Sequence, residues 1–160
     1  MGLQDSTRTG WTGVTVEHGT YPVTDIAGFF AGTWQIERAI VDADGHALGS
    51  FTGSAEFQLD GAVLHYHEHG VLDLGSYQGP AQRALRYWID GPGQAQVYFD
   101  YGEFFHDLDL RHGSWHTRHP CRDDLYCGEY HVLGPHRWWQ RWQVSGPTKN
   151  HTLTTTFHRQ

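Results

Sequence analysis

The run Arg137-Trp138-Trp139-Gln140-Arg141-Trp142 alternates with a period of two, which is the period of a β-strand. Trp138, Gln140, Trp142 and Val144 fall on one face, and Trp139, Arg141 and Gln143 fall on the other. A face that sets two indoles two residues apart and continues with valine suits the wall of a cavity better than a close-packed two-layer core. Each indole also brings an N–H that needs a partner once buried. A chain built around such a strand is constrained toward a curved sheet with a lined hollow.

The same period governs most of the chain. Strands are predicted at about 33–41, 47–59, 62–70, 82–90, 95–101, 104–110, 124–133, 137–145 and 150–159. Between them, Asp44-Gly45, Asp60-Gly61, Gly91-Pro92-Gly93 and Tyr101-Gly102 supply positive φ or a fixed kink. One short helix is expected at about Thr24 to Ala31, with Thr24 or Asp25 as cap, an apolar stripe of Val23, Ile26, Phe29 and Phe30, and Gly32 to end it. Residues 1–22 read as an extended polar lead-in with Trp11 as anchor, and residues 23–160 as a single domain. Short strands joined by hairpins after one helix predict an all-β fold, an antiparallel barrel of about nine strands. A sandwich is the rival, but it usually needs longer crossovers. No internal repeat is visible.

With 160 residues the chain can bury a real core, and 14% aromatic against 18% charged residues marks it as globular. A formal charge of -7 argues against sequence-independent nucleic-acid binding, which depends on Lys and Arg. No run reaches the roughly 18 apolar residues of a membrane span. The first 24 residues lack a basic region followed by an apolar one, so no secretory signal is expected. Cys121 and Cys127 are too few for a disulfide framework, and a cytoplasmic location is the default expectation. Thirteen histidines are scattered along the chain, so its net charge climbs as pH falls through roughly 6.5.

Phe30-x-Gly32-Thr33-Trp34 after a short helix, with a meander ending in Thr154-Thr155-Thr156-Phe157-His158-Arg159, resembles the calycin barrels: lipocalins, fatty-acid-binding proteins and nitrobindin-like proteins. The resemblance implies that Trp34 sits at the barrel floor against Arg159. A closer likeness is to an uncharacterised family of small bacterial and fungal calycin-like domains. Its pieces look like Leu64-x-Tyr66-x-Glu68-x-Gly70, Arg86-Tyr87, Phe105-His106-x-Leu108, His119-x-Cys121, Asp124-x-Tyr126-x-Gly128 and Trp142-x-Val144-x-Gly146-Pro147-x-Lys149. That likeness covers about residues 26 to 159 and implies a ligand cavity without an assigned activity.

Three clusters could carry chemistry. His65, His67 and His69 share one strand face, and two of them with a third ligand from elsewhere would suit zinc or iron. Successive positions on one face lie about 7 Å apart, so all three cannot easily reach one ion. Leu64, Tyr66 and Glu68 hold the opposite face; if that face points inward, the histidines meet solvent. His119-x-Cys121, followed by Cys127 and His131, offers a thiol with an imidazole beside it, although the spacing is not that of a zinc knuckle. His106 shares its face with Leu108 and Leu110, where it is either a hydrogen-bonded core residue or a cavity acid/base tuned by Glu68. No phosphate loop, Gly-x-Ser-x-Gly or His-Glu-x-x-His is present.

The leading expectation is a barrel that binds a small, mostly apolar or aromatic molecule. Catalytic candidates are His106, Glu68 and Tyr126; ligand-binding candidates are Tyr66, Arg86, Tyr87, His119, Cys121, Trp138, Trp142 and Lys149. The alternatives are a cofactor-independent cyclase, isomerase or lyase on the same barrel, and a haem- or metal-binding barrel with His65, His67 or His69 as ligands. No cofactor is otherwise expected, no nucleic acid or membrane partner, and either a monomer or a homodimer.

Overall fold

In the computed structural model, residues 8–9 and 15–160 are described. Trp11, the expected anchor of the lead-in, lies outside the described residues. A two-stranded ribbon, β1 (Arg8–Thr9) and β2 (Thr15–Val16), precedes the helix α1 (Ile26–Phe30). Ten strands follow: β3 (Gly32–Asp42), β4 (Ala47–Asp60), β5 (Val63–Asp73), β6 (Gln78–Gly91), β7 (Gln94–Phe99), β8 (Phe104–Asp109), β9 (Ser114–Cys121), β10 (Asp124–Gly134), β11 (Arg137–Ser145) and β12 (Asn150–Arg159). They form one sheet in the order β8-β7-β6-β5-β4-β3-β12-β11-β10-β9, which rules out the sandwich. β12 pairs antiparallel with β3, so the end of the chain comes back to the first barrel strand. Among the described residues no helix is long and apolar enough to cross a membrane.

The meander is the expected one with one strand added. Ser114–Cys121 was not anticipated because Ser114, His116, Thr117, Arg118 and His119 are polar and Pro120 breaks the pattern. This strand stands beside β8 without a backbone ladder among the described residues. Side chains tie the seam instead. Trp115 Nε1 donates to the Asp107 carbonyl at 3.0 Å, and Thr117 Oγ1 donates to Asp107 Oδ1 at 2.7 Å. At the helix end the two strands are joined by the turn between them, closed by Gly113 N–H donating to Leu110 O at 3.0 Å.

Asp25 caps α1 by accepting the Gly28 N–H at 2.9 Å, as its position before the apolar stripe predicts. Ile26, Phe29 and Phe30 are buried, and the helix stops one end of the barrel. Beneath it, Trp34 donates Nε1–H to the Phe30 carbonyl at 2.9 Å. The Arg159 guanidinium lies 4.2 Å above the Trp34 ring and donates to the carbonyls of Phe29, Ala31 and Pro135. The expected Trp34–Arg159 pairing is thus present, and the arginine also satisfies carbonyls left over at the helix end. Trp138 continues the plug, stacked on Phe157 at 3.7 Å with Phe30 edge-on at 5.2 Å.

Outside the barrel, on the second face of β11, Trp139 is buried. Its Nε1–H donates to the Glu17 carbonyl at 2.7 Å, and its ring stacks on His131 at 4.2 Å. Residues 17–19 run across this patch, and the Gly19 N–H donates to His131 Nδ1 at 2.9 Å.

Arg159→Met should cost about 2 kcal/mol, because carbonyls at the plug lose their donors. Chemical denaturation with Trp fluorescence as readout would check it; a stability equal to the parent would mean that water replaces the arginine.

Candidate functional site

Away from the plug, the interior is not filled. On β8 a bulge sets Phe104 opposite Tyr98 and His106 opposite Val97, leaving Phe105 as the extra residue. Both Phe105 and His106 therefore turn inward. Phe105 stacks between Phe99, at 4.5 Å, and Trp142, at 4.7 Å. Trp142 has room for its indole because Gly128 faces it across the ladder; a Cβ there would lie 2.5 Å from the ring. These stacked rings floor a cavity of about 410 Å³. Its walls include Gln140, Leu153 and Thr155, and Tyr101, Glu103 and Cys121 stand exposed around its mouth. That size is within the usual range for small organic ligands, about 300–1,000 Å³.

Two arginines reach this cavity, Arg38 from β3 and Arg83 from β6. Arg38 is held by Glu68 through two parallel bonds of 2.8 Å, and its Nε–H donates to Thr155 Oγ1 at 2.7 Å. Tyr66 donates its hydroxyl to Glu68 Oε2. Burial works against an ionised carboxyl, but the Arg38 bonds outweigh it and hold Glu68 below its ordinary range. Burial and the neighbouring Glu68 charge hold the Tyr66 phenol well above its usual value, so it stays a donor.

His106 lies beneath the cavity floor. It is 1% exposed, covered by Phe105 at 4.8 Å and Trp142 at 5.1 Å between ring centres. Its Nδ1 donates to the Asp107 carbonyl at 2.7 Å, which leaves Nε2 to accept the Tyr130 hydroxyl at 3.2 Å. Tyr87 meets Tyr130 at 3.5 Å and completes the chain. Burial pushes the Tyr87 phenol up to about 12 and the His106 imidazole down to about 4. Both ring nitrogens of His106 are satisfied inside the protein.

The residues named from sequence are therefore divided. Tyr126, His119, Cys121 and Trp142 line the cavity together. Glu68 stands behind Arg38. Trp138, Tyr66 and Tyr87 are corrected from cavity wall to packed core, because Phe30 and Phe57 fill the helix end around them. His106 is corrected in the same way, because the bulge interposes Phe105. Arg86 is on the outer face, between the inward Leu85 and Tyr87 and opposite the exposed His65. Lys149 pairs with Asp124 at 3.2 Å in the turn before β12, outside the cavity lining. Sequence reasoning missed Arg38, Arg83, Thr155 and Phe105 as cavity residues, whereas Gln140 and Val144 line it on the face expected to form a wall. For the arginines the signal existed: Arg38 shares a face with Trp34 and Ile36, and Arg83 shares one with Leu85 and Tyr87.

His65, His67 and His69 are exposed on the outer face, with His67 Nε2 3.2 Å from Gln82 Oε1. A tighter group, His116, Glu129 and His131, lies under residues 17–19. There His131 Nδ1 accepts the Gly19 N–H, so its proton sits on Nε2, 3.6 Å from Glu129 Oε2. That tautomer offers a donor to the carboxylate and no lone pair to a cation. Asp42, Asp44 and His46 form a third group, in which Asp42 Oδ1 accepts the backbone N–H groups of the other two in a tight turn.

A family model described as a family of unknown function (DUF6314) matches residues 30–159. No curated protein sequence matches the chain. Among solved structures, the S-type phycobiliprotein lyase CPES from Guillardia theta superposes with a TM-score of 0.62 at 8% identity, over 82% of this chain and 89% of that one. A protein of unknown function from the DUF3598 family of Nostoc punctiforme gives 0.57 at 14% identity, over 88% of this chain and 51% of that one. At such identities these likenesses establish a shared barrel fold.

Two outcomes are expected. The unfolded chain protonates His106 near 6.5 and the folded chain only near 4. Stability from this group is complete above about pH 6.5 and is lost as pH falls toward 4, by about 3 kcal/mol in all. Denaturation of the parent and of His106→Gln between pH 7 and 4 should show that slope only in the parent. Changing His65, His67 and His69 together to Gln should leave melting within about 2 °C and metal content unchanged; loss of a stoichiometric metal would reverse that reading.

Proposed function

The chain belongs to DUF6314, a family of unknown function, and for it we propose a role as a small-molecule-binding barrel whose ligand occupies the cavity above Phe105 and Trp142. The observation that carries the reading is the division of the interior. One half is packed with aromatic rings, and the other keeps about 410 Å³ over a stacked floor. Polar groups converge on that space from different strands: Arg38, Arg83, His119, Tyr126, Gln140 and Thr155. An apolar surface with a few placed polar groups is the usual make-up of a ligand site. The ligand class is a mostly apolar or aromatic molecule, since the floor offers flat ring faces and Val144 and Leu153 flank it. Catalysis on this barrel would work through the titratable groups on the cavity wall, His119, Tyr126 and Cys121, rather than through His106.

The neutral aromatic probe 1-pyrenemethanol should bind the purified chain saturably at one site. Val144→Trp, which fills the cavity without touching the plug, should weaken that binding by about tenfold or more. Fluorescence titration of both proteins, with melting curves to confirm folding, checks it. A probe that binds the filled variant as well as the parent would show that it sits elsewhere and would sink the reading.

A further inference from the structure

Arg83 is the cationic group in this cavity to which no carboxylate of the described residues is hydrogen-bonded or ion-paired. It stands directly opposite Glu68 in the β5–β6 ladder, and both point inward. Yet the three bonds that Glu68 accepts come from elsewhere, at Oε1 from Arg38 Nη1 and at Oε2 from Arg38 Nη2 and the Tyr66 hydroxyl. Among the described residues Arg83 makes no hydrogen bond and no ion pair. Its one specific contact is with the face of Phe105, 5.8 Å from guanidinium carbon to ring centre. Arg38 and Glu68 cancel, and Glu103 is exposed at the mouth, so the cavity floor keeps one uncompensated positive charge. Holding a guanidinium half-buried over aromatic rings is costly unless an anion completes it.

Resting on the cavity reading above, we infer that the ligand is an organic anion, a flat apolar or aromatic body bearing a carboxylate that Arg83 clamps. The planar fork of a guanidinium matches the two oxygens of a carboxylate. The stacked faces of Phe99, Phe105 and Trp142 would take the body of the molecule, leaving its carboxylate at the Arg83 end. Gln140 and Thr155 line the same space, and Arg38 cannot serve as the clamp without surrendering Glu68.

1-Pyrenecarboxylic acid and 1-pyrenemethanol share a ring system and differ in the head group, which separates the two readings. The parent should bind the acid at least about tenfold more tightly than the alcohol. Arg83→Gln should abolish that preference, weakening the acid about tenfold more than the alcohol. Arg83→Lys, which keeps the charge and loses the fork, should retain an intermediate preference and serves if the Gln variant folds poorly. Equal affinity of the parent for both probes would overturn the anion inference while the cavity reading stands. So would a preference that survives in Arg83→Gln. Failure of both probes to bind the parent would overturn the cavity reading and this inference with it.

Discussion

Ten strands enclose more space than side chains readily fill. Barrels of about eight strands have interiors just wide enough to be packed solid, and the diameter grows with each strand added. This barrel meets the excess unevenly. Phe30, Trp34, Phe57, Trp138 and Phe157 crowd one end, with α1 across it and Arg159 over the Trp34 face. The aromatic plug is what lets the remaining strands close at this radius, and the space it leaves is what the rest of the interior is organised around.

Between plug and cavity lies a polar layer that is costly to build and strict in its pairing. Glu68 is desolvated, and the two bonds from Arg38, the Tyr66 hydroxyl and the nearby Arg83 charge keep it ionised. Removing either member of such a buried pair typically costs about 3–5 kcal/mol, since the other charge is stranded. The His106–Tyr130–Tyr87 chain is equally closed but uncharged, because burial keeps the imidazole neutral. Among the described residues every polar group named in this layer has a hydrogen-bond partner and Arg83 beside it has none, and so the layer sets the chemical character of the cavity above it.

The sequence made the architecture legible because period two recurs in strand after strand and glycine pairs mark the turns. It also identified the Trp34 floor, the exposed histidine triplet and four residues of the cavity wall. Depth along the barrel axis was not legible. Alternation tells which face a residue occupies, and not whether that face lies beside Phe30 or above Phe105. Trp138 and Trp142 look equivalent in the sequence and end up in different halves. The bulge at Phe105 has no signature in composition, and without it His106 would be read as a cavity residue. The cover that residues 17–19 give Trp139 is a long-range effect that no local pattern carries.

The unladdered contact between β8 and β9 has a consequence for how the wall resists thermal motion. Elsewhere a local opening must break a row of backbone bonds, whereas here, among the described residues, the hydrogen bonds to release are those of the Trp115 and Thr117 side chains to Asp107. The turn from Leu110 to Gly113, closed by its own backbone bond, lies at the helix end, so the separation is hinged there and widest toward the mouth. Phe105 on one side and His119 on the other are the residues that such a parting draws away from each other, and they touch at 5.2 Å. The cylinder thus behaves mechanically as a sleeve with one unstitched edge, and that edge runs alongside the cavity.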